Sequence, residues 1–260
     1  MDDLSATRSL ARVVRHALIV ALGVVFFVLP LVATFLFSLH GKKNELGFSA
    51  YEHVFADPQF YSTFLFSLEM AFATVVLGLV LLLPTVLWMH LRAPRARALI
   101  EGFALLPFVV PPIVLVFGLI KLYSRPPLDL VTSPLLLVAG YIVISFPYLF
   151  RSLDAGVRAV DLKSLTEASQ SLGASMVTTL WRVIMPNLRT SLLGAGFLTF
   201  AIVLGELTLA VLLAWPAFGP YMALVGRDLA YEPAALAIVS FLLTWLFIGL
   251  LQLLTRTKGP

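Results

Sequence analysis

The chain contains no cysteine, so neither a disulfide framework nor thiolate chemistry can operate in it. Charge is also scarce. Only 12% of its 260 residues are Asp, Glu, Lys or Arg, where a soluble domain carries about 25%. The phosphate-binding pattern G-x-x-x-x-G-K-[ST] is missing. Gly41-Lys42-Lys43 lacks the first glycine of that pattern, so ATP hydrolysis by this chain is excluded. The zinc pattern H-E-x-x-H is missing too, and the four histidines, His16, His40, His53 and His90, are scattered. His16, His40 and His90 fall at span ends, where a polar tip in the headgroup zone accounts for them. No internal repeat and no low-complexity linker is seen. No metal or diphosphate cluster of carboxylates marks a membrane face.

What the chain has is apolar length. It is 60% hydrophobic, with a mean hydropathy of +0.98. That composition fits a polytopic membrane protein and no other class. A crossing needs ~20 mostly apolar residues. Six stretches qualify: 17–39, 60–89, 102–120, 130–150, 190–214 and 233–255. The first is longer than a signal-peptide core and no A-x-A-like site follows it, so it is expected to be retained. Ser133-Pro134 suits a helix cap and first turn, and Pro233 suits another first turn. The expected fold is all-α with six transmembrane helices.

Orientation follows from Lys and Arg in the loops. With the N-terminus inside, thirteen of the 18 lie on the cytoplasmic side and five outside. Both termini are therefore expected in the cytoplasm, as is the polar segment 161–189. The Arg-rich loop Arg92 to Arg97 is expected to enforce this topology, with contact to anionic membrane lipid as the alternative. Net charge of +4 reports topology here, not nucleic-acid binding.

Segment 161–189 reads DLKSLTEASQSLGASMVTTLWRVIMPNLR. Asp161 can cap a short helix whose apolar face is Leu162, Leu165, Ala168, Ser169 and Leu172. Gly173 suits the left-handed position that ends it. Ser175 can cap a second helix with Val177, Leu180, Trp181 and Ile184 as its stripe. Pro186 is expected to stop or kink that helix. The product is a helix, a sharp turn and a helix, a shape that a groove on a partner could accept. An ordinary amphipathic loop lying on lipid is the plainer alternative.

Two acids lie within the spans, Glu69 and Glu206, and a charge there is costly, by ~3 kcal/mol or more. Either they contact a cationic solute or gate on the path, or each bonds a neighbouring helix or a paired subunit. Glu206 is expected about 24 Å up a helix starting at Thr190, at about 1.5 Å per residue. Pro107, Pro111 and Pro112 loosen the third span. Such a helix is tolerated where it lines a cavity or is buried in protein. A membrane enzyme using Glu69 or Glu206 as acid or base is a competing class, as is a channel or secondary transporter.

The segment also resembles the cytoplasmic loop of ABC-importer permeases, whose pattern is EAA, three residues, G, nine residues, I-x-L-P. Glu167, Ala168, Gly173 and Pro186 match it outright, while Ser169, Val183 and Met185 are mild departures. Residues 60–255 resemble the transmembrane core of a type I ABC importer, with residues 1–59 as a peripheral first span and outer loop. Residues 197–216, FLTFAIVLGELTLAVLLAWP, resemble the spermidine/putrescine group and its relatives for ferric iron, sulfate, molybdate and aminoethylphosphonate. Related permeases often carry an acid at the place of Glu206. The resemblance implies a coupling loop of Glu167, Ala168, Ser169, Gly173 and Pro186, while the intramembrane acids and the prolines themselves suggest a path near Glu206, Glu69, Pro111 and Pro112. The resemblance implies no cofactor in this chain, with ATP and Mg on a partner ATPase. It also implies a second permease subunit, an extracytoplasmic substrate-binding protein and the inner membrane of a bacterium. Two buried acids favour a cation such as a polyamine.

Overall fold

The computed structural model describes residues 2–40 and 46–256. Among these there is no strand, only an isolated bridge between His40 and Leu46. The all-helical expectation holds. In lipid a backbone must bond within its own segment, which makes the helix the default for these apolar runs.

In order, the elements are α1 (Asp2–Ser38), α2 (Ser49–Ala56), α3 (Pro58–Arg92), a 3₁₀ turn (Pro94–Ala96), α4 (Arg97–Val109), α5 (Pro112–Tyr123) and α6 (Pro134–Ala159). They continue with α7 (Leu162–Ser171), α8 (Met176–Thr179), a π-helical segment (Leu180–Ile184), α9 (Met185–Leu204), α10 (Thr208–Leu212), α11 (Phe218–Asp228) and α12 (Glu232–Arg256). Ser133 caps α6 through its hydroxyl, which accepts from the Leu135 N–H at 3.3 Å, and Pro134 follows in the first turn.

Four helical stretches are long and apolar enough to cross a membrane: Val14–Ser38, Pro58–Arg92, Pro134–Ala159 and Met176–Leu204. A fifth arises if the pair Pro94–Val109 and Pro112–Tyr123 is one span, bent by 101°. Pro107 lies inside α4 without ending it. The break falls at Val110-Pro111, where both residues are extended in ψ. Two successive prolines remove two donors and push the residue before them out of the helical region. The sixth expected span is helical from Glu232, with a shorter apolar part, Glu232–Leu246.

The fifth span departs from expectation at both ends. It does not start near Thr190, because the helical run begins at Met176 inside the polar segment. Pro186 neither stops nor interrupts it. The wider π turn precedes Met185, so the proline falls in the first turn of α9, where a missing donor costs little. The run ends at Leu204 rather than Ala214, for a reason given with Glu206 below.

The chain forms two compact units, residues 1–58 with 222–260, and residues 59–221. In the first, α12 packs on α1 and α2. Ser38 and Tyr51 share a hydroxyl–hydroxyl bond of 2.6 Å, and His53 Nδ1 lies 3.0 Å from Glu232 Oε1. In the second, α6 packs chiefly on α9 and then on α4. Gly156 lets α6 approach α9 so closely that a Cβ there would strike Ser191, the small-residue contact typical of helices in lipid. Its core gathers Leu82, Val86, Met89, Leu149, Leu153, Ile184 and Leu188.

Candidate functional site

The polar segment 161–189 is built by short-range bonds. Asp161 Oδ1 accepts from the Ser164 N–H at 3.2 Å and opens α7. The Ser164 side chain, and then its backbone N–H, hold the Asp161 carboxyl below the usual carboxylate range. After Ser171 the chain turns at Gly173, whose φ is +82°. A non-glycine residue is disfavoured there. The Ala174 N–H then reaches back to the Ser169 carbonyl at 3.1 Å. Ser175 Oγ accepts from the Thr178 N–H at 3.2 Å and opens α8. Thr179 Oγ1 donates to the Ser175 carbonyl at 3.0 Å. That leaves its oxygen to accept from Ser169 Oγ at 2.9 Å, which ties α7 to α8. Ser169 is one of the departures from the EAA pattern, and its hydroxyl is what makes this tie.

The two expected apolar faces are divided differently from the periodic reading. Leu162, Thr166, Thr179 and Ile184 are buried. Leu172, at 90% exposure, and Met176, Val177 and Trp181 point outward. Periodicity groups apolar residues on a helix but cannot say which of two adjoining faces meets the bundle. Glu167 and Ala168 are exposed on α7, with Glu167 3.9 Å from Lys163. Pro186 is exposed at the start of α9.

Glu206 lies just beyond the end of α9 rather than within it. Its carboxylate accepts from the N–H groups of Thr208 (2.7 Å), Leu209 (3.1 and 2.9 Å) and Ala210 (3.4 Å). The Tyr141 hydroxyl is a further partner. These N–H groups are the orphan donors of α10, and a carboxylate that satisfies them ends one helix and starts the next. The capped α10 packs on α5 and α6. Glu206 and Pro112 are thereby linked through α10, since Pro112 opens α5. Pro111 and Pro112 are exposed at the break. Glu69 is exposed on α3.

Residue-by-residue reading missed one cluster. The side chain of Asp154, in the last turns of α6, is only 3% exposed. His90 Nε2 meets its Oδ1 at 2.7 Å. Arg158 Nη2 is in contact with Oδ2, and Arg97 Nη2 lies 3.7 Å from the same oxygen. Arg97 Nε donates to Glu101 Oε1 at 2.8 Å. His90 is therefore no headgroup-zone tip but a partner of a buried acid. Arg158 at i+4 from Asp154 was the only local hint. A cavity of about 460 Å³ lies on one side, lined among others by Glu101, Arg151, Asp154 and Arg158.

Among the described residues no group of His, Cys, Asp and Glu could hold a metal ion. The described residues thus form a helical chain with an outward-facing helix–turn–helix on a polar segment. The chain belongs to the family of binding-protein-dependent transport system inner membrane components, which it matches over residues 87–257, and is an ABC-importer permease rather than an enzyme. It is 29% identical over 206 residues to a probable sulfate transport system permease protein of Chlorokybus atmophyticus, covering 74% of this chain and 70% of that one. It is 25% identical over 218 residues to a spermidine/putrescine transport system permease protein of Haemophilus influenzae, covering 80% and 82%. Its fold is similar to that of a bacterial ABC transporter involved in importing the acidic polysaccharide alginate. That likeness has a TM-score of 0.69 at 15% identity and covers 94% of this chain and 96% of the other.

Proposed function

We propose that this permease docks its ATPase through segment 161–189 and lines the path of a small charged solute. The observation that carries the docking reading is the outward set Leu172, Met176, Val177 and Trp181 beside the left-handed Gly173. On the cytoplasmic side indicated by the charge bias, such an apolar ridge fits a groove on a soluble partner. Glu167, Ala168, Ser169, Gly173 and Pro186 form or shape it. ATP and Mg sit on the ATPase. Binding and hydrolysis there bias a two-state membrane element, turning the path outward and then inward.

In this reading six helices cross the inner membrane of a bacterium, with both termini inside and residues 60–255 as the permease core. A second permease subunit, identical or homologous, completes the path. A substrate-binding protein delivers the solute from outside. Glu206, Glu69, Pro111 and Pro112 belong to the path or its gate. A polyamine-like cation is supported by the two acids and by likeness to a spermidine/putrescine permease. An oxyanion is the second reading. It is favoured by likeness to a sulfate permease. Ferric iron and aminoethylphosphonate are further alternatives.

The test is purification of the chain from native membranes in mild detergent. An ATPase should come down with it and be lost from a Gly173→Val variant. Absence of any ATPase would sink the docking reading. The co-purified binding protein, titrated with polyamines, sulfate, molybdate, ferric iron and aminoethylphosphonate, names the solute.

A further inference from the structure

Asp154 is a buried carboxylate met by polar side chains from three helices. His90 comes from the last turn of α3, Arg97 is the first residue of α4, and Arg158 lies one turn on in α6 itself. Buried ion pairs add little stability over apolar packing of the same volume, because desolvation offsets the attraction. Leu82, Val86, Leu149 and Leu153 form part of an apolar core in the same unit. What the polar contacts add is geometry, since the His90 and Arg158 contacts fix a direction as well as a distance, while Arg97, 3.7 Å away, adds attraction.

The position gives that geometry a use. From Asp154 α6 runs on to Ala159, an extended Val160 follows, and Asp161 then opens the polar segment, whose Leu162 already packs into the same core. On the other side Arg97 begins α4, the inner half of the broken span. Beyond the break at Pro111, α5 packs on α10, whose start is held by Glu206. A continuous set of helices therefore runs from segment 161–189 through α6 and α4 to the outer half of the bundle.

We infer that Asp154 is a positioning residue which, through His90 and Arg97, makes the inner ends of α3 and α4 follow α6 when the cytoplasmic segment moves. This inference rests on the docking role proposed above for that segment. It assigns to Asp154 the transfer of motion, not contact with solute or nucleotide.

The test uses the complete transporter, permeases with ATPase and binding protein, in proteoliposomes. Asp154→Asn keeps the shape and removes the charge. Arg97→Gln removes the 3.7 Å partner at a half-exposed position and is expected to fold. Both variants should co-purify the ATPase at the wild-type ratio and retain basal hydrolysis. Radiolabelled spermidine or sulfate, whichever the binding protein binds, imported per ATP hydrolysed should fall by about fivefold or more in Asp154→Asn, and by a smaller factor in Arg97→Gln. A merely structural role would lower the yield of assembled complex and leave that ratio alone. An unchanged ratio in either assembled variant overturns the inference, and Arg97→Gln decides it should Asp154→Asn not assemble. If the wild-type chain binds no ATPase, the docking reading has failed instead, which is a separate result.

Discussion

The N–H of Leu209 is shared between both carboxylate oxygens of Glu206, at 3.1 and 2.9 Å. An acid that stands three residues before the N–H it accepts from has become the cap of a new helix. It ends the fifth span at Leu204, ten residues earlier than apolar length alone indicated. Its charge faces backbone dipoles, so structural and path roles must be separated by substitution.

Glu206→Gln keeps an oxygen that can accept from the backbone, whereas Glu206→Ala keeps none. The alanine variant should lower the thermal stability of the purified complex by about 1 kcal/mol or more, the usual cost of a lost cap. The glutamine variant should stay assembled and alter uptake at limiting solute. Wild-type uptake by Glu206→Gln would remove this residue from the path.

At Gly173, with φ +82°, asparagine tolerates the left-handed region and valine does not. Replacement by valine should cost about 1–3 kcal/mol locally and abolish ATPase co-purification, while membrane insertion persists. Gly173→Asn should retain most of the bound ATPase. Quantifying the ATPase in both pull-downs checks the order, and equal loss in the two variants would contradict a conformational cause.

Pro111 and Pro112 deny two donors to the third span. Substituting both by alanine permits a continuous helix, so the 101° bend should relax. If the break belongs to the proposed gate, uptake by the assembled complex should then fall by about tenfold. If uptake stays normal, the prolines serve packing only.

The Asp161 carboxyl is shifted down by its bonds to Ser164. Its folded value lies below the unfolded one, so the stability it lends α7 is complete above the unfolded value. That contribution is lost as pH falls through the folded value. Hydrogen exchange at residues 162–165, corrected for its intrinsic pH dependence, should speed up over that acid range. In Asp161→Ala it should be fast throughout. Flat protection in the native chain would show that Ser164 does not depend on the charge.

Several features were legible without coordinates because their partners lie within a turn of sequence. Ser133-Pro134, Asp161, Gly173 and Ser175 all act on backbone groups two to four residues away, and each sits where local chemistry puts it. The long apolar runs are helical because lipid offers no other partner for their backbone. The pattern of segment 161–189 was readable for the same reason, as a fixed spacing along one stretch of chain. Tertiary structure decided the rest. His90 and Asp154 are 64 residues apart in sequence, and nothing local marks them as partners. Leu172 and Trp181 turn outward because Leu162, Thr166 and Ile184 have taken the inner face. The fifth span stops where a carboxylate finds orphan N–H groups better than water would. Composition and spacing determine which segments become helices and where they are capped. Which faces and charges meet is settled only when distant helices pack, since burial and pairing belong to the assembled bundle.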